Sequence, residues 1–141
     1  MKKKIIRDKL KKKYGNKIKI AFKQYPLPFH THARKAAVAS LCANEQGVKF
    51  FWKMHDEFFL NQANLAPEKI KELAPKLGLK SDQFNKCFNE NKYIAQVEKD
   101  IAQGKSINVK GTPAFFINGM VFTQGRSLDK FIEVIDEELK K

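Results

Sequence analysis

The chain has 141 residues, of which 43% are hydrophobic and 12 are Phe, so it holds enough apolar material for one globular domain with a core. No apolar run approaches the length of a membrane-spanning helix, and the residues after the basic Met1–Lys4 opening are too charged for a signal peptide. The formal net charge is +13, which raises the question of anionic partners.

Most of the positive charge lies in the first 24 residues, which contain ten Lys, one Arg and one Asp and therefore carry about +10. Basic runs of this kind can bind nucleic acid or anionic lipid by releasing counterions. The alternative is a solvated helix face followed by an edge strand, where lysine discourages further strand pairing. No nucleic-acid-binding motif follows the run, so we predict no nucleic-acid partner. Because no apolar run is long enough to span a bilayer, we also predict no membrane insertion.

The first predicted elements are a helix and a strand. Residues 5–13 place apolar side chains on one helical stripe with lysines around it, and Gly15 can end that helix in a left-handed cap. Residues 17–23 alternate strictly between lysine and apolar side chains, which predicts a strand with one covered face. Pro26 and Pro28 close this strand.

The middle of the chain is predicted to be helical. We predict five helices between residues 31 and 104: one capped by Thr31, one over residues 48–60, one with Pro67 in its first turn, a short one that begins at Ser81, and one that stops at Gly104. Their aromatic side chains recur at helical spacing, which is typical of a core.

The last predicted elements are a hairpin and a helix. An apolar strand over 114–117 leads through the two-residue turn Asn118-Gly119 into a second strand over 120–123. Ser127 can cap the final helix. The element order is therefore helix, strand, helical block, hairpin and helix, with no repeat and no linker that would divide the chain.

Short stretches along nearly the whole chain form a recognisable series: Phe22, Leu27-Pro28-Phe29-His30, Cys42-Ala43-Asn44-Glu45-Gln46-Gly47, Phe51-Trp52-Lys53-Met54-His55-Asp56, Leu77-Gly78-Leu79, Gly111-Thr112-Pro113 and Asn118-Gly119. In their order and spacing they resemble the DsbA-like thiol–disulfide oxidoreductases, which have a thioredoxin fold interrupted by a helical insertion. The resemblance implies an α/β fold and one domain over residues 1–141. Residues 1–30 and 105–141 would form the thioredoxin part, and residues 31–104 the all-helical insertion.

The resemblance also implies that the sheet is incomplete. In this family a central strand leads into a reactive Cys-x-x-Cys at the start of the first helix, and residues 5–14 would be the second half of that helix. The central strand and both reactive cysteines would therefore precede the chain. We expect two unpaired inner edges, on the strands over 17–23 and 113–118, and unpaired edges recruit other chains. This predicts self-association, strand exchange, or direct pairing of the two strands.

Neither cysteine suits disulfide-exchange chemistry, which needs a thiolate activated near a helix N-terminus. Cys42 lies late in a predicted helix, and Cys87 is flanked by Phe84 and Phe88. The two cysteines are either a structural disulfide, worth about 4 kcal/mol on the chain-entropy model, or two reduced and buried small apolar residues. The resemblance favours the disulfide, and we predict no catalytic residue in this chain.

Thr112-Pro113 is the second functional element. Local sequence alone favours a trans bond, because only about 5% of X–Pro bonds in folded proteins are cis. The resemblance implies a cis bond and a substrate-binding role for Gly111, Thr112 and Pro113, in which an extended peptide adds as a strand. The alternative is a proline that only starts an edge strand.

The histidines do not predict a metal site. His30 and His32 lie two residues apart and His55 is distant in sequence, while zinc takes three or four ligands of matched geometry. We therefore predict no metal and no cofactor.

The sequence and the resemblance together predict a DsbA-like thiol–disulfide oxidoreductase domain without its catalytic Cys-x-x-Cys, so that this chain alone is redox-inactive. The resemblance implies disulfide exchange in secreted proteins and a periplasmic or other extracytoplasmic compartment. Its expected partners are extended peptides or unfolded proteins, together with a redox partner protein. The alternative function is a redox-inactive peptide-binding or scaffold module that uses the Thr112-Pro113 groove.

Overall fold

The structure, a computed structural model, describes residues 2–141, with side chains described from Lys4 onwards. The described residues form seven α-helices, one short 3-10 turn over Gly15–Lys17, and one two-stranded sheet. The elements are α1 (Lys2–Tyr14), α2 (Ala33–Asn44), α3 (Val48–Leu60), α4 (Pro67–Lys76), α5 (Ser81–Asn89), α6 (Ile94–Ser106), β1 (Phe116–Ile117), β2 (Met120–Val121) and α7 (Leu128–Leu139).

The chain divides into two compact units. The first contains the residues up to Phe22 together with Val109–Lys141, and thus α1, the β1–β2 hairpin and α7. The second contains Lys23–Asn108, and thus α2 to α6. The predicted helical insertion over residues 31–104 lies inside this second unit.

The core of the first unit is formed by α1 and α7. Leu10 and Tyr14 of α1 are buried with Phe131 and Ile135 of α7, and apolar residues of the hairpin pack against them. The Tyr14 hydroxyl donates a hydrogen bond to Asp136 Oδ1 at 2.7 Å. Burial, together with this hydrogen bond, raises the pKa of Tyr14 to about 12, so the hydroxyl stays protonated and fixes α1 to α7.

The segment predicted as a strand over residues 17–23 is not a strand. Lys17 ends the 3-10 turn, and the residues that follow have no ladder partner among the described residues. Ile18 and Ile20 still pack against the core of the first unit. The alternation therefore identified a face that is partly covered at Ile18 and Ile20 but 41% exposed at Phe22. A strand also needs a neighbour to accept its backbone hydrogen bonds. In the part of the chain that the structure describes, this segment also does not pair directly with β1.

The hairpin forms around the predicted turn. Asn118 and Gly119 both have positive φ angles, 48° and 82°, which is the backbone of a type I′ turn. Phe116 pairs with Val121 and Ile117 with Met120, and Phe122 N donates to Phe115 O at 2.8 Å. The strands are shorter than the predicted 114–117 and 120–123.

Two helix ends in the second unit differ from prediction. Thr31 does not cap α2, which begins at Ala33 after His32 and has no side-chain cap. Gly104 does not end α6, which continues to Ser106. A Cβ atom at Gly104 would lie 2.5 Å from Cε2 of Tyr25. The glycine therefore allows the Tyr25 ring to pack closely against α6, which continues past this position.

A buried polar network fixes the start of the second unit. Asp100 of α6 is only 6% exposed, and its carboxylate accepts hydrogen bonds from Gln24 N and Gln96 Nε2, both at 2.9 Å. The Gln24 side chain donates to Ser40 Oγ of α2 at 2.8 Å. The network therefore joins one irregular segment to two helices, and it satisfies polar groups that would be costly to bury alone.

Candidate functional site

The predicted substrate-binding residues lie directly before the hairpin. The peptide bond between Thr112 and Pro113 is cis. Gly111 and Pro113 are half-buried and Thr112 is exposed. A Cβ atom at Gly111 would meet no heavy atom within 4 Å, so the backbone there is open to an approaching chain.

The edge of β1 that faces away from β2, which the sequence predicts as an unpaired inner edge, is called the outer edge of β1 from here on. It is unpaired among the described residues, because the sheet consists of β1 and β2 alone. Residues that face each other in an antiparallel pair alternate between hydrogen-bonded and non-hydrogen-bonded pairs. Phe115 belongs to a hydrogen-bonded pair, because its carbonyl oxygen accepts from Phe122 N across the hairpin. The residues on either side of it, Ala114 and Phe116, therefore direct their backbone N–H and C=O groups away from β2, to the outer edge. The outward N–H and C=O groups along this edge have the spacing and direction needed to pair with the backbone of an added strand.

The hairpin exposes an apolar face that the sequence analysis did not identify. Phe115 and Phe122 contact Phe131, with ring centroids 5.1 Å and 4.3 Å away, so they face the core. Their neighbours Phe116 and Val121 point to the opposite face and are 38% and 62% exposed. The signal was available, because side chains alternate between the two faces of a strand. This face can contact the side chains of a docked peptide.

The two cysteines of the chain are joined to each other. Cys42 of α2 and Cys87 of α5 form a disulfide with an S–S distance of 2.07 Å. They are 1% and 3% exposed, so an attacking thiolate in solvent has no path to either sulfur. Because the sequence has no other cysteine, these residues supply no reactive thiol, and the disulfide serves as a covalent link between α2 and α5.

The histidines lie in different settings. The ring of His30 is 4.6 Å from that of Phe29 in an edge-on contact. His55 lies within α3, where Nδ1 is 3.1 Å from Asp56 Oδ1 and the ring lies 4.8 Å from that of Phe59. Within residues 2–141, no three His, Cys, Asp or Glu side chains come together in a way that could hold a metal ion.

None of the helices between residues 2 and 141 has both the length and the apolar character needed to cross a bilayer.

Comparison with known proteins places the chain among thioredoxin relatives. A family model described as Thioredoxin matches residues 2–137. The chain is 26% identical over 139 residues to disulfide bond formation protein D of Bacillus subtilis, and 28% identical over 143 residues to the probable disulfide bond formation protein D of Bacillus cereus. It is 32% identical over 103 residues to Na+/H+ antiporter NhaA 3 of Salinispora tropica. No solved structure gives a significant match.

These matches differ in how much of each protein they cover. They include 94% of this chain and 63% of the Bacillus subtilis protein, and 94% of this chain and 64% of the Bacillus cereus protein. The match to the antiporter includes 72% of this chain but only 16% of the antiporter. The chain therefore spans less than two thirds of each of these relatives.

Proposed function

The chain belongs to the thioredoxin family, and we propose that it is a DsbA-like thiol–disulfide oxidoreductase domain that docks extended segments of secreted proteins during disulfide exchange in an extracytoplasmic compartment. The unpaired outer edge of β1, next to Thr112-Pro113, is the observation that carries this proposal. The similarity to the Bacillus disulfide bond formation proteins D gives it further support.

In the proposed complex an extended peptide lies beside β1 as an added strand. The outward N–H and C=O groups of Ala114 and Phe116 pair with the peptide backbone, and the open backbone at Gly111 leaves room for the chain to pass. Main-chain pairing of this kind provides affinity without demanding one sequence. The exposed Phe116 side chain favours apolar residues in the peptide.

The chemistry of exchange requires a thiolate that this chain does not provide. Cys42 and Cys87 are buried in one disulfide, and thiol–disulfide exchange needs direct access of the attacking sulfur. We therefore assign to these 141 residues the binding and orientation of the substrate. The reactive dithiol is assigned to a redox partner or to another polypeptide segment.

Phe116→Pro is expected to weaken peptide binding about tenfold, because it removes one outward N–H donor and the Phe side chain from the edge of β1. The probe is reduced lysozyme whose thiols are blocked with iodoacetamide; this unfolded protein is itself basic, so charge does not attract it to the chain. Binding is measured by fluorescence anisotropy. Phe116→Ala separates the side chain from the N–H and is expected to have the smaller effect.

Val121→Pro is the matched control. Val121 is the cross-strand partner of Phe116, and its N–H points to the outer edge of β2 for the same geometric reason. Binding should be unchanged in this variant. If the two proline variants lost the same amount of peptide affinity, the loss would come from disruption of the hairpin and not from a change at the outer edge of β1. Light scattering on the same samples reports whether a second copy occupies the edge, which is the self-association predicted from the sequence.

The second candidate function is a redox-inactive peptide-binding module, favoured by the burial of both cysteines. The 141-residue chain is expected to reduce insulin no faster than buffer containing the same dithiol, because it presents no accessible thiol. Turbidity of the released insulin chains measures this directly. Catalytic turnover by the chain would contradict the assignment of a binding role alone, whereas peptide binding without turnover fits both candidates. Acceleration by the chain together with a Cys-x-x-Cys redox partner, beyond the rate of that partner alone, would select the oxidoreductase.

A further inference from the structure

One surface of the first unit carries lysines that no acidic group neutralises. Six lysines of α1 and the segment after it are exposed and have no acidic partner within the described part of the chain. They are Lys9, Lys11, Lys12, Lys13, Lys17 and Lys19, and together they form what we call the basic face.

The rest of the first unit does not compensate this charge. The residues up to Phe22 contain nine Lys, one Arg and one Asp, a net charge of +9, whereas residues 109–141 contain five basic and five acidic residues. The one early acid, Asp8, is paired with Arg7 at 2.9 Å. In α7, Glu133 is paired with Lys130 at 2.7 Å. The positive charge of this unit is therefore concentrated in its first segment.

This arrangement lowers the stability of α1 slightly, by repulsion between lysines. Lys9 lies three and four residues before Lys12 and Lys13 in α1, and like charges at these spacings repel each other on a helix. The apolar side of α1 explains the helix, since Leu10 and Tyr14 are buried in the core. The core does not explain the run of lysines, whose charge is complementary to an anionic surface.

We propose that the basic face binds the surface of an anionic phospholipid bilayer. The lysine ammonium is a compact, strongly hydrated charge that does not require a partner in one fixed orientation. It therefore suits a layer of phosphate headgroups that move laterally. Ile5 is 46% exposed on the same helix and can enter the interfacial layer. Leu10 and Tyr14 of α1 remain in the protein core, so the protein lies on the bilayer and does not insert into it.

The composition of α1 favours lipid over nucleic acid. Its sequence contains no Asn or Gln and a single Arg, and these are the side chains that commonly read base edges. Arg7 is 14% exposed and is held by Asp8. Tyr14, the aromatic residue of the helix, is only 6% exposed and is not available to stack on bases.

The test measures sedimentation of the protein with vesicles of phosphatidylcholine containing phosphatidylglycerol. Binding is expected at about 0.1 M salt, where the Debye length is about 10 Å, and should be lost at about 1 M salt, where it is about 3 Å. Pure phosphatidylcholine vesicles should not bind. The triple variant Lys9→Gln, Lys11→Gln and Lys12→Gln should lower partitioning about 100-fold, because each basic side chain near an anionic surface contributes about a factor of five.

A second triple variant controls for net charge. Lys76→Gln, Lys86→Gln and Lys99→Gln change three exposed helical lysines of the second unit and remove the same total charge. This variant should retain most of the binding. Equal losses in the two triple variants would overturn the proposal in favour of diffuse attraction by net charge. Circular dichroism establishes that both variants keep their helices.

A short duplex DNA of random sequence is the competing ligand. Salt-sensitive DNA binding that depends on the basic face, without binding to the anionic vesicles, would overturn the lipid proposal and assign the surface to nucleic acid. Absence of binding to the vesicles at about 0.1 M salt would overturn it as well. Peptide docking at β1 is measured with a different probe, so the two proposals can fail separately.

Discussion

The double variant Cys42→Ala and Cys87→Ala is expected to unfold with a free energy about 4 kcal/mol lower than that of the oxidised protein. The disulfide joins residues separated by 45 positions, and closing a loop of that length removes much conformational freedom from the unfolded chain. Most of the second unit lies within or next to this loop, from α2 to α5. A loss of this size is a large fraction of the stability of a typical domain.

Urea denaturation followed by Trp fluorescence measures this effect. Trp52, the single Trp of the chain, lies in α3 inside the closed loop and reports on the second unit. The control is the wild-type chain under reducing conditions. Its free energy of unfolding should fall by a similar amount, whereas that of the double variant should not change when reductant is added. A difference below about 1 kcal/mol between the oxidised protein and the double variant would contradict a stabilising role for the disulfide.

Asp100→Ala is expected to lower the free energy of unfolding by about 3 kcal/mol, because it leaves the buried backbone N–H of Gln24 without an acceptor. Gln24 N and Gln96 Nε2 each donate to the Asp100 carboxylate at 2.9 Å. Hydrogen bonds to a charged group are stronger than neutral ones. Water would not replace the buried bond from Gln24 N, whereas the amide of the exposed Gln96 can bond to solvent instead.

Lys23→Ala and Asp100→Asn identify the source of that loss. Lys23 Nζ lies 3.5 Å from Asp100 Oδ1, but the lysine side chain is 61% exposed, so its removal should cost less than about 1 kcal/mol. Asp100→Asn keeps an acceptor oxygen and should have an effect between the other two. If Lys23→Ala cost as much as Asp100→Ala, the ion pair rather than the buried hydrogen bonds would hold the segment. The measurement is again urea denaturation.

The helices were the most predictable part of the fold. The helix predicted over residues 48–60 is α3, the one with Pro67 in its first turn is α4, and the one that begins at Ser81 is α5. Ser127 caps α7, where its Oγ accepts from Lys130 N. These features depend on residues near one another in sequence, where spacing and capping chemistry are sufficient.

The errors occurred where a distant part of the chain decides the outcome. The alternation over residues 17–23 predicted a covered face but could not show that no neighbouring strand pairs with it in the described residues. Gly104 was predicted to stop a helix, yet the contact with Tyr25 explains the glycine and the helix continues. The local sequence does not show whether a second strand pairs with residues 17–23, and it does not show that the Tyr25 ring contacts Gly104.

The candidate site was predictable only with help from the resemblance. Local sequence favoured a trans bond before Pro113 and left Cys42 and Cys87 either bonded or reduced, whereas the structure has a cis bond and a disulfide. The exposed face of Phe116 and Val121 was missed, although the alternation around the Asn118-Gly119 turn contains it. Residue patterns therefore locate the hairpin. That the outer edge of β1 has no partner among the described residues is evident only from the strand pairing in the structure.

Amide hydrogen exchange at the edge of β1 tests the docking proposal most directly. With blocked, unfolded lysozyme added, the Phe116 amide should exchange about tenfold more slowly than in the free chain, while the Val121 amide on the outer edge of β2 keeps its rate. Residue-resolved exchange by nuclear magnetic resonance measures both amides in one sample. Bound peptide that leaves the Phe116 amide unprotected, or protects Val121 equally, would show that the substrate does not add as a strand beside β1.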